Sequence, residues 1–151
     1  MQVSLRRLEE FGAKGSPLSI SGRNGIWLLD DDASMLKALA RLLAASGFAV
    51  QKFSNPVDFL SKLDQEKCRV AILDVWMPDM NGLEVQACLR RDSPETRIIF
   101  ISGRDDPAVR QTALEGGAFG FLAKPFDDEV FLQLIRKAAA GQASYLQKSF
   151  E

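Results

Sequence analysis

Histidine is absent from this 151-residue chain, and cysteine occurs only twice. Histidine is the commonest general base near neutral pH and the commonest metal ligand, so its absence excludes most catalytic triads and transition-metal sites. Cys68 and Cys88 are too few and too far apart for a disulfide framework or a CxxC metal site. Any chemistry here must therefore use carboxylates, hydroxyls, lysine or arginine.

The chain also lacks a charge excess and a long hydrophobic run. Its 19 Lys and Arg residues face 20 Asp and Glu residues, so no overall basic field attracts a nucleic-acid backbone or an anionic membrane. No run approaches the roughly 20 apolar residues that cross a bilayer, and no signal peptide is recognisable. We therefore expect a cytoplasmic protein that itself binds neither nucleic acid nor membrane.

The composition, 46% hydrophobic and 26% charged, suits one globular domain. We assign residues 1–24 to an N-terminal extension, residues 25–141 to the domain and residues 142–151 to a C-terminal tail or the start of a linker. In the extension, Leu5, Leu8 and Phe11 have helical spacing. The extension can be a docking helix, the remnant of a preceding domain or sequence added during cloning, and the residues do not decide between these.

From Ile26 onward, short apolar runs alternate with amphipathic segments. The predicted strands are IWLL (26–29), FAVQKF (48–53), RVAILD (69–74), RIIFIS (97–102) and AFGFLA (118–123). A helix is predicted after each strand: around 35–43 and ending near Gly47, then 56–63, 82–91, 107–117 and 127–140. This alternation predicts an α/β fold with a parallel sheet covered by helices on both faces, because crossover connections are right-handed.

Polar side chains stand where several predicted strands end. They are Asp30, Asp31 and Asp32 after the first strand, Asp74 at the end of the third, Ser102 at the end of the fourth and Lys124 after the fifth. In open parallel sheets, ligands bind outside the carboxyl ends of the strands. We therefore expect these side chains to converge at one edge of the sheet.

Each of these residues alone has an ordinary structural interpretation. Asp32 is typical of a helix N-cap, Asp74 of a turn, and Ser102 of a side chain that binds backbone. However, adjacent buried carboxylates repel one another and require a proton or a cation. A pocket of oxygen ligands without His or thiolate suits a hard ion such as Mg²⁺, together with phosphate oxygens.

Four segments resemble the receiver domain of two-component response regulators. They are LLDDD (28–32), AILDVWMPDMNG (71–82), IIFISG (98–103) and FGFLAKPF (119–126). The resemblance implies a doubly wound, flavodoxin-like sheet with five parallel strands in the order 2-1-3-4-5. It further implies a phosphorylation-controlled switch rather than an enzyme: a histidine kinase or phosphotransfer protein donates a phosphoryl group to Asp74, and the chain catalyses only its own phosphorylation and slow dephosphorylation.

The resemblance also implies roles for individual residues. The implied Mg²⁺ ligands are Asp30, Asp31, Asp74 and the backbone carbonyl of Trp76. Ser102 and Lys124 are expected to contact the phosphoryl oxygens, and the bond between Lys124 and Pro125 is expected to be cis. Asp74, Lys124 and Ser102 are thus the residues expected to carry the chemistry.

Two further roles concern switching and the lifetime of the phosphorylated state. In the family, the hydroxyl at the Ser102 position swings toward the phosphoryl group while the aromatic at the Phe121 position moves inward. Phe121 has no hydroxyl, so its inward state should be the easier one to populate, unless Phe121 is simply a partly buried strand residue. This changes the surface formed by the fourth helix, fifth strand and fifth helix, through which a homodimer or another partner can bind. Trp76 and Arg104 should flank the route of water to phosphorus and slow hydrolysis, unless Trp76 only covers its loop and Arg104 points into solvent.

Other functions fit the residues less well. A hydrolase with an aspartyl-phosphate intermediate, of the haloacid dehalogenase type, has a DxDx[TV] pattern, whereas Asp74-Val75-Trp76 lacks the second acid. A degenerate receiver that only mediates protein contacts is disfavoured because every expected site residue is present. Whether the chain acts alone or is the receiver part of a longer transcriptional regulator remains open at this stage.

Overall fold

The structure is a computed structural model that describes residues 25–141. Its strands are β1 (Ile26–Leu29), β2 (Val50–Phe53), β3 (Val70–Asp74), β4 (Arg97–Ser102) and β5 (Gly120–Ala123). Its helices are α1 (Ala33–Ala45), α2 (Pro56–Leu63), α3 (Gly82–Asp92), α4 (Pro107–Glu115) and α5 (Asp128–Ala139). The predicted alternation of strands and helices is confirmed.

All five strands are parallel and form one sheet in the order β2-β1-β3-β4-β5. The chain passes from β1 outward to β2 and then returns to the other side of β1 at β3. The order therefore reverses between β1 and β3, and a crevice is expected outside the carboxyl ends of these two strands. The predicted fold class and strand order are both confirmed.

The sheet separates two hydrophobic cores. In β1, Ile26 and Leu28 face the core that α1 and α5 cover, whereas Trp27 and Leu29 face the core that α2, α3 and α4 cover. This alternation follows from the two-residue period of a strand. All five residues of β3 are buried, as expected for a central strand with helices on both faces.

Two predicted strands begin later than expected because helix ends extend into them. Phe48 donates its N–H to Leu43 O at 3.1 Å, so it belongs to the turn that ends α1. Ala118 donates likewise to Ala113 O at 3.0 Å. The helix α4 ends at Glu115 rather than at Gly117, where φ is +92°, a left-handed conformation that favours glycine.

The predictions for residues 1–24 and 142–151 lie outside the described residues. Within residues 25–141, no helix is both long enough and apolar enough to cross a membrane.

Candidate functional site at the carboxyl edge of the sheet

Three of the predicted acidic residues form one cluster. Carboxylate oxygens of Asp30, Asp31 and Asp74 lie within 4.8 Å of one another. Asp30 and Asp74 are buried, whereas Asp31 is exposed. Asp32 has a different role, since its side chain caps α1 by accepting from the N–H groups of Ser34 and Met35 at 2.9 and 3.2 Å. The cluster thus joins the ends of β1 and β3, where the strand order reverses.

Lys124 is the basic residue of this cluster. Its Nζ lies 3.2 Å from Asp30 Oδ2 and 3.6 Å from Asp74 Oδ1. Asp30 also accepts a hydrogen bond of 2.9 Å from the N–H of Asp32, which fixes the carboxylate. The bond between Lys124 and Pro125 is cis, as expected. One ammonium group therefore pairs with two carboxylates of a cluster that holds three.

The electrostatics of Asp74 reflect this imbalance. Burial, followed by the charge of Asp30, raises the pKa of Asp74 to about 7, although the charge of Lys124 acts in the opposite direction. A carboxylate in this environment gains stability from a proton or from an added cation. Because the side-chain ligands gathered here are carboxylate oxygens, the site fits a hard divalent ion such as Mg²⁺.

The loop that follows Asp74 returns tightly to the end of β3. Gly82 donates its N–H to Val75 O at 2.8 Å, and Val75 donates its own to Ile101 O at 3.2 Å. A Cβ atom on Gly82 would lie 2.5 Å from the backbone oxygen of Asp74, so only glycine fits there without a shift. The base of the loop, formed by Val75 and Gly82, is therefore held directly against the candidate nucleophile.

Ser102 is buried at the end of β4, and its hydroxyl is bonded to the following loop. The hydroxyl donates to Arg104 O at 2.8 Å and accepts from the Arg104 N–H at 3.1 Å. In the sheet register, Ser102 lies beside Ala123 of β5, and the preceding Ile101 lies beside Asp74 of β3. Ser102 thus stands at the expected edge, and its hydroxyl holds the β4–α4 loop in this arrangement.

Trp76 and Arg104 lie against each other. The guanidinium carbon of Arg104 is 4.6 Å from the centre of the Trp76 ring, within the range of a cation–π contact. Trp76 is half-buried and Arg104 is exposed. The two loops that follow β3 and β4 are therefore connected by a side-chain contact that the sequence alone did not predict.

Phe121 of β5 is only 7% exposed, so its ring already lies inward in this structure, in which the Ser102 hydroxyl is bonded to the β4–α4 loop. Its ring centre lies 6.1 Å from that of Phe100 and 4.9 Å from the guanidinium carbon of Arg110 in α4. Arg110 also forms an ion pair with Asp105 in the β4–α4 loop. Sequence reasoning missed Arg110 and Asp105, since no fixed spacing links either of them to an aromatic of the next strand.

Comparison with known proteins agrees with this geometry. The family described as response regulator receiver domain matches residues 26–136. The response regulator protein TodT of Pseudomonas putida is 42% identical over 113 residues, which are 75% of this chain and 50% of TodT. The chain thus spans about half the length of this curated relative.

Solved structures resemble the fold closely. The beryllofluoride-activated NtrC4 receiver domain dimer has a TM-score of 0.74 and 29% identity, covering 78% of this chain and 98% of that one. A response regulator of Burkholderia pseudomallei with a phosphorylated aspartic acid has a TM-score of 0.70 and 28% identity, covering 78% and 69%. From the family match and this shared architecture, the chain belongs to the response regulator receiver domain family.

Proposed function

We propose that this chain is a signalling switch in which Asp74 accepts a phosphoryl group from a histidine kinase or phosphotransfer protein. The observation that carries the proposal is the burial of Asp74 beside two other acids, with Lys124 Nζ at 3.6 Å. An aspartate used only as a turn residue has no need of a buried counter-charge. The reaction modifies the chain itself rather than a separate substrate.

The residues of the site divide the chemistry among them. Asp74 is the nucleophile, and its place at the end of a buried strand holds the carboxylate rigidly for in-line attack. Lys124 stabilises the charge on the transferred phosphoryl oxygens. As the donor's bond to phosphorus breaks, a bond forms between phosphorus and an Asp74 oxygen. A solved relative from Burkholderia pseudomallei carries a phosphorylated aspartic acid, which supports this assignment.

Mg²⁺ is the proposed cofactor. Its proposed ligands are Asp30, Asp31, Asp74 and the backbone carbonyl of Trp76. When bound, the ion would supply positive charge beside the phosphoryl oxygens. The raised pKa of Asp74 supports this proposal, because burial and the charge of Asp30 both disfavour the free carboxylate and a divalent cation would offset that cost.

Chemical labelling tests the nucleophile. The protein is incubated with acetyl phosphate and Mg²⁺, the acyl phosphate is reduced with borohydride, and the modified residue is identified by mass spectrometry. We expect the label on Asp74 and its loss in Asp74→Asn. The matched control is Asp79→Asn, which removes an exposed carboxylate from the same loop and should be labelled normally. A label on another residue would contradict the proposal.

The proposed output is a change in the surface formed by α4, β5 and α5, driven by Ser102 and Phe121. This surface has a cavity of about 230 Å³ lined in part by Phe121, Val130 and Leu134, and Val130 is 51% exposed. The related NtrC4 receiver is a dimer in its beryllofluoride-activated form. These features support a homodimer through this surface, with binding of another protein as the alternative.

Sedimentation measures the dimer directly. We expect the sedimentation coefficient to rise when beryllofluoride and Mg²⁺ are added. An unchanged mass over a wide range of concentration would remove homodimerisation while leaving phosphorylation of Asp74 intact.

The lifetime of the phosphorylated state is proposed to depend on Trp76 and Arg104. Their cation–π contact supports a role in covering the approach of water to phosphorus.

Because the chain covers half of TodT, we also propose that it is the receiver part of a longer regulator. A cytoplasmic location remains a prediction.

A further inference from the structure

The helix α4 is fixed at one end. Of its nine residues, Ala113 is the buried one. Two side chains of α3 hold its C-terminal end: Gln86 Nε2 donates to Ala113 O at 3.0 Å, and Arg90 donates to Gly116 O at 2.7 Å. The other end, which adjoins the phosphorylation site, depends on different contacts.

Arg110 provides two of these contacts. Its guanidinium carbon lies 4.9 Å from the centre of the Phe121 ring, and the same group pairs with Asp105 in the preceding loop. The side chains of Arg110 and Asp105 are 41% and 68% exposed, so the ion pair alone contributes little. The contribution of Arg110 lies in joining the loop to the aromatic ring.

Ser102 holds the same loop from the other side. Its hydroxyl exchanges two hydrogen bonds with the backbone of Arg104, the residue that precedes Asp105. A continuous set of contacts therefore runs from Ser102 through Arg104 and Asp105 to Arg110, and from there to Phe121. Both residues of the proposed switch are connected through one loop and one arginine.

We propose that Arg110 is a positioning residue that keeps Phe121 in the arrangement in which Ser102 binds the loop. This inference rests on the proposed function. When the Ser102 hydroxyl turns toward a phosphoryl oxygen on Asp74, it gives up both bonds to Arg104. The loop then releases Asp105, and Arg110 is no longer held over the Phe121 ring.

The geometry also predicts how the loss of Arg110 changes the affinity for a ligand that binds the switched arrangement. The contacts of Arg110 occur together with the bonds between the Ser102 hydroxyl and Arg104, so they add to the cost of releasing that hydroxyl. A ligand that binds the switched arrangement must overcome that cost, and removing the contacts should increase its apparent affinity. Since a cation–π contact at an exposed site is weak, we expect a change of roughly two- to fivefold.

The test is a titration of the full chain with beryllofluoride in the presence of Mg²⁺, at one low protein concentration. Binding is followed by the fluorescence of Trp76, while the fully buried Trp27 provides a constant background. Arg110→Gln should bind roughly two- to fivefold more tightly than the wild type. Arg110→Lys, which keeps the charge, should lie closer to the wild type.

Two comparisons separate positioning from general effects. Arg91→Gln removes another arginine and its ion pair with Asp92 in α3, outside the surface formed by α4, β5 and α5, so it should leave the affinity unchanged. In a Phe121→Leu background, Arg110→Gln should have no further effect. Urea unfolding of each variant shows whether stability, rather than the switch, has changed.

Several outcomes would overturn the inference. These are wild-type affinity in Arg110→Gln, an equal gain in affinity in Arg91→Gln, or an undiminished gain when Arg110→Gln is introduced into the Phe121→Leu background. If the wild type binds beryllofluoride and is labelled at Asp74 while Arg110→Gln behaves normally, the positioning role fails and the proposed function stands. If the wild type neither binds nor is labelled, both fail.

Discussion

The two edges of the sheet use charged side chains in opposite ways. At the amino edge, Arg69 donates to Ala139 O at 2.5 Å, and Lys67 donates to Leu63 O at 3.0 Å. Both cations thus bind carbonyls at the C-terminal ends of helices, where the helix dipole favours positive charge. These side chains stabilise the fold, and they need no ligand because backbone carbonyls already bind them.

At the carboxyl edge, the charges are not balanced. Asp30, Asp31 and Asp74 form one acidic cluster, and Lys124 pairs with Asp30 and Asp74, the two acids that are buried. Burial and the charge of Asp30 raise the pKa of Asp74 to about 7, so the ionised carboxylate is disfavoured there. The comparison indicates that one edge serves the stability of the fold, whereas the other gives up stability at the residues of the proposed cation and phosphoryl site.

Removing Lys124 should have the largest effect. We expect Lys124→Gln to slow the labelling of Asp74 by about a hundredfold, because it removes a preorganised charge from the phosphoryl oxygens. The matched variant at the amino edge, Arg69→Ala, should be labelled at the wild-type rate. Time courses with acetyl phosphate at saturating Mg²⁺ measure both rates, and equal slowing of the two would contradict the distinction between the edges.

Neutralising Asp74 should stabilise the metal-free protein. Because its pKa is raised from 3.8 to about 7 in the folded state, the folded protein holds this proton more tightly than the unfolded chain does. The stability that protonation of Asp74 contributes to the folded protein is therefore present at low pH and is lost as pH rises through about 7. At about pH 8 we expect Asp74→Asn to be more stable than the wild type by about 2 kcal/mol.

Urea unfolding in the presence of a chelator measures this difference. The gap should close near pH 4 and narrow when Mg²⁺ is added. Asp79→Asn, which changes an exposed acid in the same loop, should show neither trend. A pH-independent difference would show that the carboxylate is not the cause.

Opening the approach to phosphorus should have a smaller effect. If Trp76 and Arg104 shield the phosphoryl group, the double variant Trp76→Asn, Arg104→Glu should lose it about tenfold faster, a barrier change of about 1.4 kcal/mol. Loss of the phosphoryl group is followed after the donor is removed, and Mg²⁺ affinity is measured alongside. An unchanged lifetime with intact Mg²⁺ affinity would refute shielding.

The smallest effect is expected at the amino edge. Arg69→Ala removes one exposed hydrogen bond to the end of α5 and should lower the free energy of unfolding by about 0.5–1 kcal/mol. Arg41→Ala, on the exposed face of α1, is the control and should change it less. A stability loss in Arg69→Ala of several kcal/mol would mean that this edge does more than hold a helix end.

The sequence predicts much of this architecture because its patterns are local. The strands and helices follow from hydrophobic period, and the acidic cluster follows from residues at strand ends. Element ends were less accurate, since the backbone bonds of Phe48 and Ala118 return to the preceding helices. A helix end of this kind depends on hydrogen bonds that apolar spacing does not encode.

The site was predictable only in its central residues. Asp30, Asp74 and Lys124 stand at strand ends and come together because the sheet is parallel. The partner of the Ser102 hydroxyl and the contacts of Arg104 and Arg110 depend on how loops fold back. Nothing in residue spacing indicates that an arginine in α4 lies over an aromatic ring in β5.

The closed base of the loop after β3 affects which positions of such a chain can be substituted during evolution. Gly82 fastens the loop through its bond to Val75 O, and its close approach to Asp74 fixes the end of the strand. Substitutions in residues 77–80, beyond that base, can alter the shape presented to a partner while the carboxylate stays in place. Recognition can therefore evolve in this loop separately from the reaction, and a duplicated gene could acquire a new partner through a few surface changes.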